Sequence, residues 1–152
     1  MHGENGLGGV KVKQSPNQAY KTDSFALIYN KIRQQEEPII WVNTGSLTNL
    51  CLLLMTFPDV RGKLSRIVMM GGAIGRGNIT PAAEFNIHCD PAAFERVLQL
   101  KGDIELVMVP LEATHQFPAN EHVYTTIKTY TDHPFGQALY TMALHYQQFY
   151  KD

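Results

Sequence analysis

The feature that most constrains this chain is an alternation of two patterns. Short apolar runs rich in β-branched residues are separated by stretches whose apolar residues recur every three or four positions. The runs are Ile39-Ile40-Trp41-Val42, Ile67-Val68-Met69-Met70 and Ile104 to Val109. Mostly apolar runs of this length suit strands covered on both faces. Between them, Phe25, Ile28, Tyr29 and Ile32 share one helical face, as do Leu47, Leu50, Cys51 and Leu54. Phe94, Val97 and Leu98 form a third such set, and Phe135, Leu139, Met142, Tyr146 and Phe149 a fourth. Strands alternating with helices predict an α/β domain with a mainly parallel sheet flanked by helices, one domain over residues 1–152. Three strands are few for such a sheet.

Punctuation agrees with the pattern. Thr22 or Asp23 suits the N-cap of the first helix, and Glu36-Glu37-Pro38 ends it. Phe57-Pro58-Asp59 closes the second. Asp90-Pro91 is a helix start with Asp at the N-cap and Pro at the first helical position.

Composition excludes several functions. The formal net charge of the 152 residues is -1, which leaves no basic footprint for nucleic acid or an anionic membrane. No apolar run is long enough to span a bilayer. Cys51 and Cys89 stand in no metal or redox spacing and are expected to be free, buried thiols of a reducing cytoplasm. The six histidines form no pair with metal-ligand spacing; His2 and His115, in loops, are the better functional candidates.

Ligands of open α/β sheets bind beyond the carboxyl ends of the strands. Three polar segments leave strands there: Asn43-Thr44-Gly45, residues 71–86, and Glu112 to Gln116. The second carries four glycines and a proline, and loops this long in compact domains are usually functional or disordered. Its Asn78, Glu84 and Asn86 have side chains suited to hydroxyl recognition. In Glu84-Phe85-Asn86, alternation would bury the ring and point both polar groups the other way. A solvated loop glutamate is the competing reading. No Gly-x-x-x-x-Gly-Lys and no strand-linked Gly-x-Gly-x-x-Gly occurs, which disfavours triphosphates and dinucleotides.

Taken in order, His2-Gly3-Glu4-Asn5-Gly6-Leu7-Gly8, Asn43-Thr44-Gly45-Ser46-Leu47-Thr48-Asn49, Met70-Gly71-Gly72, Glu84-Phe85-Asn86 with Asp90-Pro91, and Thr114-His115-Gln116 resemble the inosine-uridine preferring nucleoside hydrolases. The resemblance covers the whole chain. It implies a Rossmann-like fold, cytoplasmic dimers or tetramers, and hydrolysis of ribonucleosides of the uridine and inosine type to base and ribose. It also implies one Ca²⁺ per site and a transition state with oxocarbenium character. Carried over, Thr44 would offer a backbone carbonyl to Ca²⁺. Asn78, Glu84 and Asn86 would bind ribose hydroxyls, with Glu84 serving binding rather than folding. Met70 would pack near the sugar and His2 near the base. Asp90 stays a helix cap.

Two family features do not occur in these residues: the Asp-x-Asp-x-x-x-Asp-Asp motif that supplies metal ligands and the general base, and a later His-Asp pair. No catalytic carboxylate is therefore identifiable. The chain is expected to be an incomplete member that keeps the ribose-binding wall and lacks the metal-binding wall. It is further expected to leave a sheet edge open, to bind Ca²⁺ weakly or not at all, and to be inactive alone. The alternative is a non-catalytic ribose-binding module that associates with a full-length homologue.

Overall fold

The structure is a computed structural model and describes residues 3–11 and 24–149, without the side chain of Phe149. His2 and the caps Thr22 and Asp23 lie outside the described residues. The chain groups into two compact units, residues 19–117 and residues 1–18 with 118–152.

The larger unit is the α/β body. Its elements run α1 (Ser24–Arg33), β1 (Ile39–Asn43), α2 (Thr48–Thr56), a 3₁₀ helix (Pro58–Lys63), β2 (Leu64–Met70), α3 (Phe85–Cys89), α4 (Pro91–Leu100), β3 (Glu105–Val109) and α5 (Leu111–Thr114). The strands form a sheet in the order β1-β2-β3, parallel throughout. All three carboxyl ends therefore lie at one edge. The parallel α/β architecture is the expected one.

One sheet face makes the core. Ile67 and Met69 of β2 are buried against Leu50, Leu53 and Leu54 of α2 and Val97 of α4. Leu50, Leu53 and Leu54 follow helical spacing, so one face of α2 supplies most of that layer. The register between β1 and β2 shifts between Ile39 and Ile40, which pair with Leu64 and Arg66. That irregularity lets Leu64 and Ile67, three positions apart, both face inward. The 3₁₀ helix, absent from the sequence reading, is held by Tyr29 of α1. Its ring stacks on Phe57 at 4.1 Å and its hydroxyl donates to Asp59 at 2.8 Å.

The opposite face of β1 is open: Ile40 is 55% and Val42 66% exposed. Among the described residues β1 and β3 are the edge strands. Cys51 is buried as expected, but Cys89 is exposed, because it ends the short helix α3, none of whose residues is buried.

The smaller unit holds the loop 3–11 with α6 (Glu121–Lys128) and α7 (Pro134–Phe149). The loop folds around Asn5, whose Oδ1 accepts from the amides of Leu7 and Gly9, each at 3.0 Å, while Nδ2 donates to the Val10 carbonyl at 2.9 Å. Gly8 has φ +59°, and a Cβ there would stand 2.8 Å from that of His145 on α7. Glycine is thus required at this position on both counts. A recess of about 360 Å³ between loop and helix is lined by Gly3, Glu4, Asn5, Gly8, Gly9 and His145.

Asp90 caps α4 as expected, accepting from the Ala93 amide at 2.9 Å with Pro91 at the first helical position. Its second oxygen accepts from the Thr48 hydroxyl at 2.6 Å, tying the start of α4 to the start of α2. The Thr48 hydroxyl and the Ala93 amide hold the Asp90 carboxyl below its ordinary range. A carboxylate with a depressed pKa adds stability above its unfolded pKa and loses it as pH falls through the folded value. Asp90→Asn keeps a capping oxygen and loses the charge. We expect a lower melting temperature than wild type at pH 7, and a gap that closes below about pH 4. Thermal melts of both proteins across that range check this; a gap independent of pH contradicts it.

Candidate functional site

At the carboxyl edge of the sheet, β2 ends at Met70 and the chain enters residues 71–84, a loop with its own internal order. The Gly71 amide donates to the Val109 carbonyl at 3.1 Å, and the Leu111 amide donates to the Gly72 carbonyl at 3.0 Å. The start of the loop is thereby bound to the exit of β3. Gly72 has φ +79°, and an added Cβ would meet Met108 Sδ at 3.1 Å. Further on, the Gly77 amide donates to the Pro81 carbonyl at 3.0 Å and the Ile79 amide to the Ala83 carbonyl at 3.1 Å. A Cβ at Gly77 would collide with the Ala83 backbone. The glycines here serve turns and close backbone approach.

Glu84 closes the loop. It is 2% exposed and is the N-cap of α3. Oε1 accepts from the Asn86 amide at 2.8 Å; Oε2 accepts from the Gly72 amide at 2.9 Å and the Ile87 amide at 3.2 Å. One carboxylate thus joins the end of β2 to the start of α3, across twelve residues of chain. The alternation expected for Glu84-Phe85-Asn86 is overturned. Residues from Phe85 onward are helical, Glu84 is the buried member, and the Phe85 ring is 47% exposed. The helical turn rotates successive side chains by about 100° rather than 180°. The expectation that Glu84 serves binding rather than folding also needs correction, since its three amide bonds make it part of the fold.

The other expected sugar-binding residues meet at the same point. Asn86 Nδ2 donates to the Met70 carbonyl at 3.2 Å and lies 3.1 Å from Met70 Sδ. Asn78 Oδ1 accepts from the Phe85 amide at 2.9 Å. Met70, Asn86 and Glu84 are therefore linked by hydrogen bonds, and Asn78 is bonded to the same segment through the Phe85 amide. Thr44, exposed, follows Asn43, which pairs with Met69, so it leaves the sheet beside Met70. Asn43 is buried and donates to the carbonyls of Gly45 at 2.6 Å and Ser46 at 3.4 Å, fixing the turn that presents Thr44. His115 is exposed at the end of α5.

Glu112 opens one of the three polar segments the sequence places at this edge, with no role of its own assigned there. From α5 it accepts the Gly75 amide on Oε1 at 2.8 Å and the Ile74 amide on Oε2 at 3.1 Å. These two amides, with a smaller contribution from His115, hold its carboxyl below the ordinary glutamate range.

The donors for a metal ion are another matter. Among the described residues no group of three or more His, Cys, Asp or Glu side chains is placed to hold one. Glu84 and Asp90, the acids at the two ends of α3, are committed to three backbone amides and to Thr48 and Ala93. Ca²⁺ takes about six to eight oxygens, carboxylates among them. The donor set described here does not fit it.

The comparisons with known proteins converge. The sequence model of the inosine-uridine preferring nucleoside hydrolases matches residues 1–152. The chain is 44% identical to the pyrimidine-specific ribonucleoside hydrolase RihA of Escherichia coli O1:K1 / APEC, over 83% of this chain and 39% of that protein. A purine-preferring ribonucleoside hydrolase from Gardnerella vaginalis superposes with a TM-score of 0.87 at 27% identity, over 99% of this chain and 47% of the other. A plant nucleoside hydrolase superposes at 0.85 with 28% identity, over 99% and 46%. The chain belongs to the inosine-uridine preferring nucleoside hydrolase family, and it spans less than half the length of these relatives.

Glu84→Ala removes an N-cap and leaves the Gly72 amide without its acceptor. We expect a loss of roughly 2–4 kcal/mol in stability, from the cap together with the buried unpaired donor. Glu84→Gln, which keeps two oxygen lone pairs, should lose less. Urea unfolding of the three proteins checks the order; an alanine variant as stable as wild type contradicts it.

Proposed function

We propose that this chain supplies the ribose-binding wall of a ribonucleoside hydrolase, an enzyme that cleaves the N-glycosidic bond with water to give base and ribose. The observation that carries the proposal is the chain of hydrogen bonds from Met70 to Asn86 to Glu84, with Asn78 bonded to the adjacent Phe85 amide, at the carboxyl edge of a parallel sheet. That edge is where ligands of such folds bind. The match to the family over residues 1–152 supports treating those residues as part of one nucleoside hydrolase domain.

The chemistry of the group suits a sugar. A carboxylate offers about four acceptor positions. Three of those on Glu84 are taken by amides, which leaves one for a ribose hydroxyl. Asn86 spends its Nδ2 on Met70 and would accept a hydroxyl on Oδ1, while Asn78 spends Oδ1 on Phe85 and would donate from Nδ2. Met70 would lie against the apolar edge of the ring. Residues locked by their own hydrogen bonds hold a sugar without reorganising. That matters when the bond to the base breaks and the ring flattens toward an oxocarbenium ion.

His2 beside the base and Thr44 as a carbonyl donor to Ca²⁺ belong to the same proposal. No catalytic step is assigned to the metal, because the described donors do not fit it. Dimers or tetramers, and a cytoplasmic setting, are likewise proposed by analogy with the family. Among the described residues no helix is long and apolar enough to cross a membrane. RihA is pyrimidine-specific by name, and its 44% identity makes uridine the first substrate to test, with inosine second.

The test is an exchange of segments. We expect the 152-residue chain alone to release no base from uridine or inosine, since no catalytic carboxylate is identifiable in it. Placed in RihA in place of the matching stretch, it should restore uridine hydrolysis. Asn86→Ala in that chimera should lower kcat/KM about 10- to 100-fold, the value of a hydrogen bond or two at the transition state. Turnover by the chain alone at the rate of RihA, or a folded but inactive chimera, contradicts the proposal.

A further inference from the structure

We propose that Glu112 is a positioning residue that clamps the loop 71–84 in the shape the sugar wall requires. The inference rests on the ribose-binding reading of that wall, but its physical content is separate. The Glu112 carboxylate grips two amides of the loop, Ile74 at 3.1 Å and Gly75 at 2.8 Å, one on each oxygen.

Packing does not hold this part of the loop. Ile74 is 80% exposed, and Gly75 and Arg76 are exposed as well. A Cβ at Gly75 would meet Glu112 Oε1 at 3.4 Å, so the backbone approaches the carboxylate closely. Residues 74–75 are therefore held by the Glu112 carboxylate. Its anchor is firm. Glu112 lies one residue beyond Leu111, which is 5% exposed and whose amide bonds the Gly72 carbonyl. Glu84 takes the Gly72 amide from the other side. Two carboxylates, from the two ends of the site, thus hold three amides within four residues of loop: Gly72, Ile74 and Gly75.

The consequence for function is geometric. Asn78 follows Gly75 by three residues and reaches back to the Phe85 amide. Releasing Ile74 and Gly75 lets the first half of the loop move, and Asn78 with it. Glu84 and α3 stay in place, because their bonds do not pass through Glu112. Bonds between a half-buried carboxylate and exposed amides of a surface loop add little to global stability, so losing them should alter the loop and not the fold. His115, which caps the C-terminus of α5, reinforces the ionised form of Glu112.

The experiment uses the 152-residue chain, ¹⁵N-labelled, as wild type, Glu112→Gln, Glu112→Ala and the control Glu95→Ala on the exposed side of α4. Amide hydrogen exchange, the side-chain NH₂ resonances of Asn78 and Asn86, and the melting temperature are measured in each, before and after addition of ribose. In Glu112→Ala we expect exchange at Ile74 and Gly75 to rise about tenfold or more, the factor for losing a charge-assisted hydrogen bond. The Asn78 resonance should shift, and its response to ribose should weaken several-fold, while the melting temperature matches wild type. Glu112→Gln should fall between, since it keeps one acceptor oxygen and loses the charge. Unchanged exchange at Ile74 and Gly75 overturns the clamp. A lowered melting temperature with protection lost throughout the chain also overturns it, because Glu112 would then hold the fold. A wild-type chain whose Asn78 and Asn86 ignore ribose defeats the sugar reading instead, and the exchange data still decide the clamp.

Discussion

A carboxylate with almost no access to water must find its partners inside the protein, and Glu84 finds three backbone amides. An ionised group left unpaired there would cost several kcal/mol. The path of residues 71–87 is therefore not free to vary. The Gly72 amide has to turn inward, α3 has to begin at Phe85, and the loop between has to fit the remaining space. Gly71, Gly72 and Gly77 follow from that constraint, because each lies where a side chain would strike a neighbour or strain the backbone. The positions of Met70, Asn78 and Asn86 follow as well, since each is bonded to the segment that Glu84 fixes or to the strand it leaves.

The sheet beneath serves that arrangement. Parallel pairing puts the ends of β1, β2 and β3 at one edge, so Thr44, Met70 and the Gly71 amide bonded to Val109 arrive together. The core under the other face, built from α2 and α4 on Ile67 and Met69, makes this platform rigid. The Thr48–Asp90 bond ties the two helices at the same edge as the site. Stability and site geometry are thus coupled through β2 and α3, and a residue such as Glu84 cannot be assigned to one alone.

How much of this could be read from the sequence depends on the kind of signal. The strands and helices were legible because periodicity survives burial. Asp90-Pro91 was legible because a cap is a local device. The bulge between Ile39 and Ile40 and the 3₁₀ helix after Phe57 were not, since they arise from pairing and packing across the chain. Glu84-Phe85-Asn86 shows the limit most clearly. Three residues are too few to separate a strand from a helix start, and the partner that decides it, the Gly72 amide, lies twelve positions away. Glu112 was placed at this edge but given no role for the same reason, with partners 37 and 38 positions distant. Motif order nominates these residues as a group; the bonds that hold them join positions far apart in the chain.

The central claim is that the wall is formed by its own hydrogen bonds before any sugar arrives. X-ray diffraction from crystals of the chain soaked in ribose tests it most directly. The expected result is a sugar whose hydroxyls lie about 3 Å from the side chains of Asn78 and Asn86. Glu84 should still hold the amides of Gly72, Asn86 and Ile87. A Glu84 carboxylate turned to solvent, or a sugar bound away from this edge of the sheet, would contradict it.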